Sequence, residues 1–190
     1  MMMNHIDVSN MLHQTLSCDL YSNLVTRPTG AAVRGQIEQL LSEAPGSDVE
    51  LTVIDFSHVA MIDFSCADEV IAKLLLRYAD DDPPREAYFV FRGVNDDHWA
   101  AIEAVLERHG LALVIEVGNT VQIVGVVTDD ERRTWEVIYR LGPLDAEETA
   151  LALDADAADV RRALDALCRR RVVMRVDGRY LAVGSPRGGE

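Results

Sequence analysis

Lysine is nearly absent from this chain: Lys73 is the only one in 190 residues, so almost every cation is an arginine. Genomic base composition suffices to produce that bias, and no function is read from it. Cysteine is scarce too. The three cysteines (Cys18, Cys66, Cys168) lie far apart with no CxxC pair, which argues against a disulfide framework and a zinc site and makes them small buried hydrophobes. No apolar run approaches the roughly 18 residues a membrane helix needs. The first residues, Met1 to Asp7, lack a basic region followed by an apolar one, so neither a membrane span nor a secretory signal is expected, and a cytoplasmic address follows by default. Histidines 5, 13, 58, 98 and 109 are scattered at no ligand spacing, and no Walker loop, GxGxxG or GxSxG occurs. No cofactor or metal is expected, and an enzyme is the weak reading.

What is present is ample core. Hydrophobic residues make up 48% of the chain and charged ones 26%, the balance of a globular protein with one ordinary domain or two small ones. Net charge is −14 and unevenly spread. Between Asp156 and Arg187 eight arginines face four aspartates, a local +4 that leaves about −18 for the remainder.

The first half alternates strand and helix signals, the pattern of an α/β fold with a largely parallel or mixed sheet. Asp19 to Val25 suits a strand stopped by a turn at Arg27 to Gly30. Val33, Ile37, Leu40 and Leu41 have helical spacing, closed by Ala44-Pro-Gly46. Leu51 to Phe56 reads as a buried strand. A helix opening at Ser65 follows, with Ala67, Val70, Ile71, Leu74 and Tyr78 on one face. After the break Asp80 to Pro84 come a short aromatic strand (Ala87 to Phe91) and a helix capped by Asp96, with Trp99, Ile102, Val105 and Leu106 inward. Leu111 to Val117 and Val121 to Val127 flank Gly118-Asn-Thr as a hairpin, either an addition to the fold or a sheet edge for a partner.

The candidate site lies in the middle of this half. Asp55, Ser57, Asp63 and Ser65 gather where the apolar strand gives way to the next helix, a place where α/β folds keep ligand or switch chemistry. With His58, the carboxylates could form an acid/base or metal cluster, although no nucleophile or third ligand accompanies them. The elements Asp55-Phe-Ser57 and Ile62-Asp-Phe-Ser65 resemble the central segment of STAS domains, the fold of sulphate-transporter tails and anti-sigma-factor antagonists, over residues 12 to 116 or so. The family's pair of serines is Phe64-Ser65 here, and Cys66 stands for the following glycine. The resemblance implies a protein-docking module whose partner resembles an ATP-binding anti-sigma kinase, and it makes Ser65 the phosphorylation candidate. Ser65 also suits the N-cap of its helix, with Asp68 completing a capping box.

The last third changes character. Thr128-Asp-Asp-Glu131 is a capping box before a helix bearing Trp135, Ile138 and Leu141, ended by Gly142-Pro143. Asp145 with Glu148 opens a second helix. Asp156 with Asp159 opens a third, whose inner face is Val160, Leu164, Leu167 and Cys168. Arg171 to Val176 and Arg179 to Val183 flank Asp177-Gly178, a strong two-residue hairpin signal. Three helices and a hairpin in this order resemble a winged helix over residues 129 to 184 or so. The expected domains are therefore 1–127, STAS-like, and 128–190, winged helix. Arg161, Arg162, Arg169, Arg170, Arg175 and Arg179 could contact DNA phosphates. Alternatively they pair with the acidic body, within the chain or across a homo-oligomer. The expectation is a non-catalytic regulatory adaptor that docks a protein; the alternative is a DNA-binding regulator whose first half senses or dimerises.

Overall fold

The structure, a computed structural model, describes residues 2–7, 23–43 and 50–185. It is mixed α/β. Strands β1 (Met2–Asp7), β3 (Glu50–Asp55), β5 (Ala87–Arg92) and β6 (Ala112–Val117) run parallel, and β7 (Thr120–Gly125) returns antiparallel to β6 at the edge. A separate two-residue pairing joins β2 (Asn23–Leu24) to β4 (Met61–Ile62). Helix α1 is Arg27–Glu43, and α3 is Asp96–His109. Helix α2 covers residues 64–79 in three pieces, of which the middle one, Asp68–Ala72, is π-wound.

The parallel strands step across the sheet in chain order, β1-β3-β5-β6. Right-handed crossovers that always step the same way put every connecting helix on the same face. The front core accordingly joins Ile54, Phe56, Phe89, Phe91, Leu113 and Ile115 to the inner faces of α1, α2 and α3. Such a sheet leaves its back face bare. Alternation along the strands makes that face apolar as well, through Leu51, Val53, Tyr88, Val90, Val114 and Ile123. It is covered by α4 (Asp129–Leu141), α5 (Ala146–Leu153), α6 (Ala157–Arg169) and the hairpin of β8 (Val173–Val176) and β9 (Arg179–Ala182), whose buried residues form one cluster with it. Arg171 fastens the layers: its Nε donates to the Tyr78 carbonyl at 2.9 Å, and its guanidinium lies 5.6 Å from the centre of the Tyr88 ring.

The expected strand Leu51 to Phe56 is buried inside the sheet with strands on both sides, although it ends at Asp55 and Phe56 lies just beyond it. The capping boxes at Thr128 and Asp145 form, and Asp177 and Gly178 both take positive φ in the β8–β9 turn. Several local expectations do not hold. Arg27 to Gly30 is the first turn of α1 rather than a loop, since proline is tolerated in a first helical turn. Leu40 and Leu141 are exposed, because each lies at the margin of its helix's apolar stripe. The cap of α3 is Asn95, one residue before Asp96, and the buried imidazole of His98 closes a reciprocal box with it. Of the expected strand Asp19 to Val25, Asp19 to Ser22 lie outside the described residues, as do Ala44 to Gly46. Among the described residues, no helix is long and apolar enough to cross a membrane.

Candidate functional site

The carboxyl end of β3 brings together part of the expected site. Asp55 sits beside Arg92 of β5 in the parallel register, and the Arg92 guanidinium donates to Asp55 Oδ2 at 2.6 and 3.1 Å. The backbone N–H of Ser57 donates to Asp55 Oδ1 at 2.9 Å. Burial alone would raise the Asp55 pKa, but the Ser57 and Arg92 hydrogen bonds outweigh it and hold the carboxyl well below the ordinary range. Asp55 is thus a fixed anion that clamps two strand ends. The loop from Ser57 is pressed against Gly93, whose positive φ and lack of a side chain both matter: a Cβ there would meet Ser57 N at 2.3 Å.

Asp63 and Ser65 form a second unit at the start of α2. Asp63, in extended backbone, is the N-cap, and its Oδ1 accepts from Cys66 N at 2.8 Å and from Ser65 Oγ at 2.9 Å. Ser65 is therefore not the cap, and no box with Asp68 exists. The helix begins one residue earlier than its apolar face suggests, because the Asp63 carboxylate reaches the N3 amide that a Ser65 cap would leave unsatisfied. Ser65 is partly exposed, next to the exposed Phe64; Met61 of the small β2–β4 pairing and Val25, just after β2, are exposed as well. Arg108 of α3 lies 5.5 Å from the Phe64 ring centre. Cys66 is buried, its thiol donating to Thr26 O at 2.9 Å, and burial, followed by the nearby Asp63 charge, pushes its pKa to about 11.

A cluster that sequence reasoning missed lies one turn further along α2. This helix is the middle one of its layer, so Asp68 and Glu69 are buried between α1 and α3. Asp68 accepts from His109 Nε2 (2.7 Å) and from Arg27 (3.2 Å); Glu69 accepts from Arg27 (2.8 Å), and from Lys73 one turn on. Burial favours the protonated acids, yet these partners outweigh it and lower both pKa values. The π turn aims two adjacent carboxylates at two flanking helices. The i, i+4 pair Glu69–Lys73 was the only local signal; Arg27 and His109 are more than 39 residues away in sequence.

Four of the candidate arginines of the last third are engaged by carboxylates of their own unit. Arg161 pairs with Glu147, Arg162 with Asp159, Arg170 with Glu131 and Arg179 with Glu148 in a two-pronged contact at 2.7 and 2.9 Å. Arg175 lies over Tyr180, and Arg169 is exposed. Pairing within the chain, one of the two expected uses, is present at Arg161, Arg162, Arg170 and Arg179. His58 is exposed, and among the described residues no group of three or more potential metal ligands converges. No protein-family model matches the chain, and no curated protein does so either.

Proposed function

We propose that the protein is a non-catalytic regulatory adaptor that docks a protein partner around the start of α2, with Ser65 as its switch. The observation that carries this reading is the shared Asp63 oxygen, which receives both the Ser65 hydroxyl and the Cys66 amide beside exposed Val25, Met61 and Phe64. A phosphoryl group on Ser65 removes the hydroxyl donor and sets a dianion against the capping carboxylate. The apolar residues around that cap are then displaced, and a partner seated on them is released. The STAS resemblance supplies the partner class, an ATP-binding kinase of the anti-sigma type, and the winged-helix resemblance makes the C-terminal unit a second, structural layer.

The internally paired arginines weigh against the DNA-binding alternative. Polyanion contact through Arg161, Arg162, Arg170 and Arg179 would have to displace carboxylates already in place. The test is mass spectrometry of the natively isolated protein with its co-purifying chains, repeated for Ser65→Ala and Ser65→Asp. The adaptor reading expects a stoichiometric partner retained by Ser65→Ala and lost from Ser65→Asp. Equal retention by both variants refutes the switch. Binding to mixed DNA fragments at low salt, lost when Arg162 and Arg179 are neutralised together, would favour the alternative.

A further inference from the structure

A second surface lies away from Ser65, where α3, the end of β7 and the start of α4 enclose a cleft of about 400 Å³. Trp99, Leu106, Val124, Val126 and Val127 are its apolar lining. Trp99 and Val124 are only partly buried and Val126 is 40% exposed, so a cleft of ligand-binding size is left open, with a lining of mixed polar and apolar surface. Its polar rim is asymmetric. Glu103 and Glu107 stand one turn apart on α3, both exposed, and no ion pair joins either to another described residue. On the facing side Arg132 donates one N–H to Ile123 O at 2.6 Å and keeps its positive charge.

Two like charges at i and i+4 work against their own helix. Here they flank exposed apolar surface on a chain of net charge −14. In the C-terminal unit Arg161, Arg162, Arg170 and Arg179 are occupied by Glu147, Asp159, Glu131 and Glu148, and Arg132, the one cation among the described residues lining the cleft, is outnumbered there by the two glutamates. The complement to this cleft is a ligand with positive charge and apolar bulk in alternation. We propose that the α3–β7–α4 cleft binds a cationic, partly apolar peptide segment of a partner protein. Its Lys or Arg side chains meet Glu103 and Glu107, and its apolar side chains enter between Trp99 and Val126. The chain's overall acidity steers such a segment inward, so association weakens with salt. This inference is independent of the Ser65 reading, because neither Ser65 nor any other residue of α2 lines the cleft.

The test is fluorescence anisotropy of the full chain with three labelled short peptides: alternating Lys and Leu, Lys and Ser, and Glu and Leu. Only the Lys–Leu peptide should bind well. Glu103→Gln with Glu107→Gln should weaken it roughly tenfold, while Asp81→Asn with Asp82→Asn, remote from the cleft, should not. The Glu103/Glu107 variant removes a repulsion, so it will fold. Equal loss in both double variants would reduce the effect to bulk charge and overturn the proposal. Absence of Lys–Leu binding, or equally good binding of the Lys–Ser peptide, would overturn it as well.

Discussion

At the scale of single residues, the start of α2 shows how a shift of two positions changes a role. A serine and an aspartate are both good caps, and the apolar periodicity that places Ser65 at the helix start is accurate only to a residue or two. The Asp63 side chain settles the matter by reaching Cys66 N. Asp63→Ala should therefore cost about 1 kcal/mol in urea unfolding, and Ser65→Ala clearly less. The reverse order would restore Ser65 as the cap. His98 carries a second expectation. Its buried ring bonds Val59 O through Nε2 at 2.8 Å and accepts from Asn95 N through Nδ1. Burial lowers its pKa in the folded state below the ordinary 6.5. As pH falls through that value, the unfolded chain takes up a proton that the folded chain refuses, and stability declines. The depressed carboxylates Asp55, Asp68, Glu69 and Glu131 act in the same direction only at lower pH, below the ordinary carboxylate values. Urea midpoints at pH 7.5 and 5.5 should thus differ more for the parent than for His98→Gln. An unchanged difference would mean that His98 is charged when folded.

At the scale of elements, the front layer was largely legible. The apolar run of β3, the helical stripes of α1 to α3 and the hairpin of β6 and β7 follow directly from period and turn chemistry. Leu74 illustrates it: assigned to the inner face of its helix by spacing, it is fully buried. Leu74→Ala should cost about 2–5 kcal/mol in chemical denaturation, and a loss under about 1 kcal/mol would mean that the site collapses around the smaller side chain. The π segment was not legible. A five-residue winding with Asp68 and Glu69 buried side by side depends on Arg27, Arg34 and His109, partners supplied by α1 and α3. Nothing within α2 announces them except Lys73.

At the scale of the whole molecule, the two halves share apolar surface rather than merely touch. Leu51, Val53, Tyr88, Val90 and Val114 belong to one cluster with Trp135, Leu164, Leu167 and Met174. Thermal or urea unfolding followed by tryptophan fluorescence and by far-UV circular dichroism should therefore give coincident transitions. Truncation after Val127 should expose the back face of the sheet, leaving a fragment that binds a hydrophobic dye and aggregates. A monomeric, dye-silent fragment of residues 1–127 would show that the first half needs no cover.

The sequence by itself determined the alternation of strands and helices, the buried central strand, the caps at Thr128, Asp145 and Asp156, and the turn at Asp177-Gly178. Each of these depends on residues within one helical turn or one hairpin of each other. Tertiary structure decided which carboxylate meets which cation across elements. It seated Asp55 against Arg92, buried Asp68 and Glu69 between helices, paired Arg161, Arg170 and Arg179 inside the C-terminal unit and tied Arg171 to the first half. Charge composition shows how many ions a chain carries; beyond local pairs such as Arg162–Asp159, only the packing of distant elements brings an arginine within three or four ångströms of its partner.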